Sequence, residues 1–283
     1  MKTAKALPLM CPVCRHQLHL SDQTWQCEQK HSFDVAKQGY VNLHVVQHKH
    51  SKNPGDTVES VTARRAFLAE GHYEPLQQAV TAIIKKYKID SVLDIGCGEG
   101  YYTSAMQHST SQCIGVDIAK NAVQRAAKTN RAVTWVVGTG AVLPVMDNSI
   151  ALCSSLFSPL PMGEMCRVLK DEGYCLVVTP AKNHLYAMRE ALFEQVTLHE
   201  PDKILAQFEP YFDLVMQQHL EYTVNLTQSA LKHLIAMTPY AYKAKLDRRC
   251  ALEQVEHFEV TASFQIYLFQ RCKQTLEICP SKD

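Results

Sequence analysis

The amino-acid sequence predicts an α/β protein with a doubly wound, mostly parallel β-sheet, preceded by a small cysteine-bearing unit. Three observations support this prediction. From residue 91 onward, short apolar segments alternate with helical segments. A glycine-rich loop, GCGEG at residues 96–100, follows the first of these segments, and three cysteines and a histidine lie within residues 11–31. Alternation of strands and helices is typical of a parallel sheet with helices on both faces.

Composition narrows the class of protein. The chain has 283 residues, of which 46% are hydrophobic and 20% charged, as expected of a globular protein with a sizeable core. No run of about 18 apolar residues is present, and the first ten residues lack the apolar core of a signal peptide, so a membrane partner is not expected. Most of the 11 cysteines lie singly in apolar runs. We therefore expect a reducing, cytoplasmic location.

The first cysteine cluster has the spacing of a metal site. Cys11-x2-Cys14 and Cys27-x3-His31 are separated by twelve residues and supply three thiolates and one imidazole. This set suits one tetrahedral zinc ion, and four protein ligands leave no open position, so the zinc is expected to be structural. Two alternatives remain open: His16 or His19 in place of His31, or a cluster of free thiols without a metal.

The remaining elements follow from periodicity. Two helices, from Asp56 to Gly71 and over residues 73–88, precede the sheet. The predicted parallel strands are 91–96, 113–118, 132–138, 149–157 and a fifth after Gly173. A helix over 184–197, a strand over 213–226, a helix over 227–237 and a strand over 258–271 follow, which suits an antiparallel edge. We therefore predict a zinc-binding module (1–45), a basic linker with helices (46–90) and a main domain (91–283).

The glycine loop favours a cofactor that carries an amino acid. Asp94 precedes the loop, and Asp117 ends the next strand, where its carboxylate suits ribose hydroxyls. Glycines allow a tight turn and close approach of backbone N–H groups to a ligand. The spacing is G-x-G-x-G, and Glu99 would repel a pyrophosphate but suits the cationic end of a zwitterion. The alternative is that the glycines serve only the turn.

The segments "VLDIGCGEGYYT" and "GVDIAK" resemble those of class I S-adenosylmethionine-dependent methyltransferases. That resemblance implies a Rossmann-like seven-stranded sheet with an antiparallel last strand and S-adenosylmethionine as cofactor. It places the ribose at Asp117 and the adenine near Thr139. Around the methionine moiety it places Asp94, Gly96, Gly98, Glu99 and Gly100.

A longer series of segments resembles the bacterial 23S ribosomal RNA (guanine-N1) methyltransferase family: the zinc pattern, "FDVAKQGYVNL", "QHKHSKNPGD", "ARRAFLAEGHYEPL" and the glycine loop. This resemblance implies methyl transfer to guanine N1 in a hairpin loop of 23S ribosomal RNA. It also implies a homodimer, and it adds Tyr73 and His184 as cofactor neighbours. Without the family, Tyr73 reads equally well as a core aromatic and His184 as a surface histidine.

The residue that accepts the guanine N1 proton is not identified by the sequence. The segment "SLFSPLP" lacks the motif of amino-group methyltransferases, and the acidic candidates Glu99, Asp147 and Glu164 have no distinguishing signal, so no catalytic residue is assigned. Basic and aromatic candidates for RNA contact are Lys37, Lys49, Lys52, Arg64, Arg65, Phe33 and Tyr40. Arg64 and Arg65 read equally well as the solvated face of a helix. Two other functions compete: a methyltransferase of small molecules, and a non-catalytic RNA-binding protein that retains the cofactor pocket.

Overall fold

A computed structural model of the protein describes residues 7–45 and 55–272. The strands in chain order are β1 (His19–Ser21), β2 (Thr24–Gln26), β3 (Ser32–Asp34), β4 (Tyr40–Asn42), β5 (Ser91–Ile95), β6 (Gln112–Asp117), β7 (Thr134–Val137), β8 (Ile150–Leu156), β9 (Leu169–Pro180), β10 (Phe212–Thr227) and β11 (His257–Arg271). The helices are α1 (Val58–Ala69), α2 (Glu74–Lys86), α3 (Tyr101–Gln107), α4 (Lys120–Thr129), α5 (Met162–Val168), α6 (Tyr186–Leu192), α7 (Lys203–Phe208), α8 (Gln228–Ala236), α9 (Tyr240–Lys243) and α10 (Leu246–Leu252).

The main sheet has eight strands in the order β10-β11-β9-β8-β5-β6-β7-β4. Neighbouring strands from β9 to β4 are parallel, whereas β11 runs antiparallel to both β9 and β10. The predicted mostly parallel sheet with a reversed last strand is thus confirmed. The eighth strand, β4, comes from the residues predicted as the zinc-binding module and pairs with β7, with Tyr40 opposite Trp135.

The two faces of the main sheet bury different parts of the chain. On one face, helices α1, α2 and α8 contribute Phe67, Leu76 and Leu231 to a core that includes Trp135. On the other face, the N-terminal residues Leu9, Leu18 and Trp25 pack with Ile95 and Val145 of the main domain. Burial of this apolar surface fixes the N-terminal unit against the sheet, because the two parts share one continuous core.

The small sheet β1-β2-β3 is antiparallel and lies beside this shared core. Backbone hydrogen bonds join it to the main domain as well: Met10 N–H donates to Pro144 O at 3.0 Å, and Met146 N–H donates to Pro8 O at 2.8 Å. These bonds hold the N-terminal unit next to the segment that follows β7. Within residues 7–45 and 55–272, every helix is too short or too polar to cross a bilayer.

The prediction of a helix over residues 184–197 is wrong beyond Leu192. Helix α6 ends there, and Phe193 is extended (φ −124°, ψ 149°). The cause is Arg189, which is 4% exposed and donates to His184 O at 3.2 Å and to Thr197 O. The chain folds back around this buried guanidinium, because a buried charge must be hydrogen-bonded.

Candidate metal centre and cofactor site

The ligand atoms of Cys11, Cys14, Cys27 and His31 all lie within 4.8 Å of one another. Cys27 Sγ is 3.5 Å from Cys14 Sγ and 3.4 Å from His31 Nδ1, and Cys11 Sγ is 3.7 Å from the same nitrogen. Neighbouring sulfurs in a tetrahedral zinc site with Zn–S bonds of about 2.3 Å are about 3.8 Å apart. The cluster therefore fits one zinc ion. Of the alternative ligands, His16 lies outside the cluster and has its Nδ1 3.0 Å from Cys14 O.

Two tight turns bring these ligands together. Cys11 O accepts from Arg15 N–H at 2.9 Å, and Cys27 O accepts from Lys30 N–H at 2.9 Å. Arg15 and Lys30 both adopt left-handed backbone, with φ of 63° and 64°. Non-glycine residues adopt this conformation at a cost, so bound metal helps to hold both turns.

The glycine loop leaves strand β5, whose five residues are all buried. Its glycines are all left-handed, with φ of 72°, 56° and 82° at Gly96, Gly98 and Gly100. A Cβ on Gly100 would lie 2.3 Å from the Trp135 ring, whereas a Cβ on Gly98 would have only Arg64 Nη1 within 4 Å, at 3.8 Å. Gly100 is thus required by packing, and Gly98 faces open space in front of the loop.

Two aspartates hold this loop. Asp94 is 3% exposed and accepts from the hydroxyls of Thr103 at 2.5 Å and Ser154 at 2.7 Å. Burial raises the pKa of Asp94 to about 6 against the opposing effect of these hydrogen bonds. Asp117 accepts from Gly98 N–H at 2.8 Å and Ala119 N–H at 2.7 Å. Each carboxylate oxygen of Asp117 has a further lone pair with which to accept from a hydroxyl.

Glu99 and Arg64 provide opposite charges at the same loop. Glu99 Oε2 is buried without a hydrogen-bond partner, and burial raises the pKa of Glu99 although the charge of Arg64 opposes this. Arg64 lies on α1, forms an ion pair with Asp56 at 2.5 Å and donates to Met237 O at 3.4 Å. A buried carboxylate beside a cation suits a zwitterionic ligand. Sequence reasoning placed Arg64 with the RNA candidates, since no local signal shows which way its side chain points.

Tyr73 and His184 lie in one aromatic cluster at the carboxyl edge of the sheet. Both rings pack on Phe264, with centroid distances of 5.0 and 4.8 Å, and Phe157 packs on Phe264 at 5.6 Å. His184 Nδ1 accepts from Ser263 N–H at 3.1 Å, and burial lowers the pKa of His184 to about 3. The imidazole is therefore neutral, with its proton on Nε2. His184 is 6% exposed and is not a surface histidine.

The two other acidic candidates, Asp147 and Glu164, are both bound to one guanidinium. Arg167 donates to Glu164 Oε2 at 2.6 Å and to Asp147 Oδ1 at 2.5 Å. The same guanidinium donates to Leu143 O and Val145 O, and Leu143 N–H donates to Glu164. These carboxylates fasten the segment after β7 to α5, which is a structural role.

The candidates for RNA contact differ in exposure. Lys37 and Arg65 are exposed and Phe33 is half-buried, whereas Tyr40 is 5% exposed and its hydroxyl accepts from Gln124 at 3.2 Å. Tyr40 is thus a core residue of the edge strand β4. Lys49 and Lys52 lie outside the described residues.

Comparison with known proteins identifies the family. A zinc-ribbon model described as "RlmA, N-terminal" matches residues 9–52, and a "Methyltransferase domain" model matches residues 93–177. The chain is 34% identical to a 23S rRNA (guanine(748)-N(1))-methyltransferase of Streptomyces fradiae, over 91% of this chain and 95% of that protein. This chain belongs to the 23S ribosomal RNA (guanine-N1) methyltransferase family. A putative 23S rRNA (guanine-N(1)-)-methyltransferase of Bacillus subtilis is 28% identical over the same shares.

Among solved structures, the YcgJ protein of Bacillus subtilis has a TM-score of 0.50 at 17% identity, covering 69% of this chain and 99% of that one. This similarity is one of fold. The family confirms three expectations from the sequence: the class I methyltransferase fold, S-adenosylmethionine as methyl donor, and one zinc ion. The N-terminal unit is accordingly called the zinc ribbon below.

Proposed function

We propose that this protein transfers a methyl group from S-adenosylmethionine to N1 of a guanine in a hairpin loop of 23S ribosomal RNA, acting in the cytoplasm. The observation that carries the proposal is that similarity to the Streptomyces fradiae enzyme extends over 91% of the chain, and so includes both the zinc ribbon and the cofactor loop. A methyltransferase of small molecules has no need of such a ribbon, which favours an RNA substrate over that alternative.

The methionine moiety of the cofactor is assigned to the glycine loop because its two charges match those of nearby side chains. Glu99 accepts from the ammonium group of the methionine moiety, and Arg64 binds its carboxylate, because these are the buried acceptor and the cation at the loop. Gly96, Gly98 and Gly100 let the backbone approach the ligand.

The ribose and adenine parts of the cofactor are assigned to residues at the carboxyl ends of the next strands. Asp94 anchors the loop, and Asp117, which already accepts from Gly98 N–H, also accepts from the ribose hydroxyls. The adenine lies near Thr139. Tyr73 and His184 are assigned to the neighbourhood of the sulfonium group, from which the methyl group leaves. S-adenosylmethionine supplies an activated methyl group, so the task of the protein is to align the acceptor nitrogen with it.

The zinc ribbon is assigned to recognition of the RNA. It is held beside the segment after β7, and it carries exposed Lys37 and half-buried Phe33. Single-stranded loops are bound through base stacking and phosphate contacts, which these residue types supply. A homodimer is proposed on the family resemblance alone, and light scattering of the purified protein tests it.

The decisive experiment uses labelled S-adenosylmethionine and 23S ribosomal RNA isolated from cells that lack this modification. We expect one labelled guanine, and a reverse-transcription stop at that nucleotide, because a methyl group on N1 blocks Watson–Crick pairing. Zinc-loaded protein that binds S-adenosylmethionine but leaves the RNA unlabelled would contradict the proposal. Label in a small molecule instead would support the competing function.

A further inference from the structure

We propose that His199 and Tyr240 form the proton-accepting pair for the methyl-acceptor base, which stacks on Phe157. The inference rests on the proposed function and deepens it, because it supplies the acceptor for the guanine N1 proton that the sequence does not identify. Three features of the structure carry it: an exposed aromatic ring beside the glycine loop, a hydrogen-bonded histidine–tyrosine pair at the end of the same aromatic cluster, and a buried arginine behind that pair.

Phe157 is the exposed ring. It directly follows β8, is 44% exposed and has left-handed backbone with φ of 57°. Ser158, the next residue, donates from Oγ to Ile95 O at 2.5 Å and lies so close to Gly96 that a Cβ there would be 2.4 Å from Ser158 Cβ. Phe157 is thus adjacent in sequence to Ser158, the residue that packs against the glycine loop. Strained backbone of this kind is concentrated at functional sites.

His199 and Tyr240 lie further along the cluster. The His199 ring is 6.4 Å from the His184 ring, which packs on Phe264, the same ring that Phe157 contacts. Tyr240 Oη is 3.2 Å from His199 Nε2, and both side chains are half-buried, so the pair is preformed and in contact with solvent. His199 comes from the irregular segment after α6, and Tyr240 comes from α9.

Arg189 places a buried positive charge near this pair. Its buried guanidinium donates only to carbonyl oxygens, those of His184 and Thr197, and in the described part of the chain no carboxylate forms an ion pair with it. Burial lowers the pKa of His199, and the Arg189 charge lowers it further, while burial raises the pKa of Tyr240. Three further charged or paired groups lie at this segment. Lys245 is paired with Glu194 at 2.7 Å, and Glu200, which directly follows His199, is paired with Lys203. Lys182 is exposed, and its backbone oxygen accepts from His199 N–H at 3.3 Å. His199 is therefore neutral and able to accept a proton at neutral pH.

The proton transfer balances as follows. As the bond from guanine N1 to the methyl carbon forms, the carbon–sulfur bond of the donor breaks and its electron pair stays on sulfur. The N1 proton passes to Tyr240 Oη while the hydroxyl proton passes to His199 Nε2. His199 then releases this proton to solvent. A base of lowered pKa suffices, because a guanine that gains a methyl cation at N1 becomes a much stronger acid than an imidazolium ion.

The test is the single-turnover rate of methylation of unmodified 23S ribosomal RNA. His199→Ala should lower the rate by about 10²-fold or more, the usual contribution of a general base, and imidazole in the buffer should restore part of it. Tyr240→Phe should lower the rate by about tenfold or more. The dissociation constant for S-adenosylmethionine should be unchanged in both variants. The matched control is His108→Ala, which changes an exposed histidine at the end of α3.

The affinity for the hairpin RNA tests whether the methyl-acceptor base stacks on Phe157. Phe157→Ala should weaken the affinity for the hairpin RNA by about tenfold, as expected for loss of one stacked base, and Phe157→Tyr should retain it. If wild-type protein methylates the RNA and His199→Ala does so at the same rate, the pair has no catalytic role, while the proposed function stands. A slow His199→Ala variant that imidazole does not rescue, together with a normal Tyr240→Phe variant, would also overturn the inference. Inactive wild-type protein would instead contradict the proposed function.

Discussion

The zinc ribbon and the glycine loop both hold ligand groups in a fixed position, but different interactions stabilise them. Each holds ligand groups on tight turns that contain left-handed residues. The strands of the ribbon have only three residues each, and all three residues of β1 are exposed. The cofactor loop leaves β5, which is buried on both sides between β6 and β8. The ribbon therefore depends on its metal for local order, whereas the glycine loop depends on the sheet.

The two regions are nevertheless not independent. The ribbon shares a hydrophobic core with the main domain, and β4 extends the main sheet. A change at one site is therefore expected to reach the other only through this shared core.

The largest effect is expected for Cys14→Ser. Loss of one thiolate should release the zinc ion and abolish methylation of ribosomal RNA, because the binding energy of a structural zinc is part of the folding energy of its module. The affinity for S-adenosylmethionine should stay within about threefold of wild type, since the cofactor loop is held by the sheet. Zinc content, calorimetric titration with the cofactor and the RNA assay measure these effects.

The control for this variant is Cys250→Ser, which changes an exposed cysteine outside the cluster and should leave all three measurements unchanged. Normal RNA methylation by zinc-free Cys14→Ser protein would show that the ribbon has no part in recognition. Loss of cofactor binding in the same variant would show that the shared core couples the two sites.

Asp94→Ala should have the reverse effect, with loss of cofactor binding and retention of zinc. The hydroxyls of Thr103 and Ser154 would lose a buried acceptor, and an unsatisfied buried polar group costs about 1–3 kcal/mol. The loop would lose its anchor as a result. Calorimetric titration with the cofactor and the zinc content of the protein measure the outcome. Binding of the cofactor at wild-type affinity would contradict the role of Asp94 as the anchor of the loop.

A pair of glycine variants separates packing from ligand contact within the loop. Gly100→Ala should lower the free energy of unfolding by about 2 kcal/mol or more, because its Cβ would overlap the Trp135 ring. Gly98→Ala has the space for its Cβ and should cost only about 1 kcal/mol for the left-handed backbone. It should nevertheless weaken cofactor binding, because the methyl group stands where the ligand approaches.

Urea unfolding and cofactor titration of both variants provide the measurement. Equal losses of stability would contradict the packing assigned to Gly100, and unchanged cofactor affinity in Gly98→Ala would contradict the open face assigned to Gly98.

The smallest effect is expected for Arg64→Ala, which should weaken the binding of S-adenosylmethionine by about tenfold, as for one lost charge-assisted hydrogen bond. Arg125→Ala is the matched control. Arg125 lies on α4 and donates to the hydroxyl of Thr62, which is on the same helix, α1, as Arg64. If Arg64→Ala binds the cofactor normally but binds RNA weakly, the original placement of Arg64 among the RNA candidates is the correct one.

The elements that were predicted correctly from the sequence are those with a recognisable local pattern of residues. The strands from β5 to β8 are short apolar runs that end at glycine or polar residues, and the zinc ligands have diagnostic spacing, so both were recognised from sequence. Strand β4 has three residues and no distinguishing period, and it is a strand only because β7 lies beside it. The segment after Leu192 lost its predicted helix to the hydrogen bonds of Arg189, which no periodicity reveals.

By itself the sequence predicted the fold class, the cysteine–histidine cluster and the position of the glycine loop, because each depends on residues close together in the chain. Only the tertiary structure decided which face of the sheet the zinc ribbon covers, that Arg64 faces Gly98, and that Asp147 and Glu164 bind Arg167. It also decided that Phe157, His184, His199 and Tyr240 belong to one cluster. Those four residues come from four separate segments between positions 157 and 240 of the chain. Their meeting depends on how the strands and the helices after them pack, since contacts of that range leave no periodic trace in the sequence.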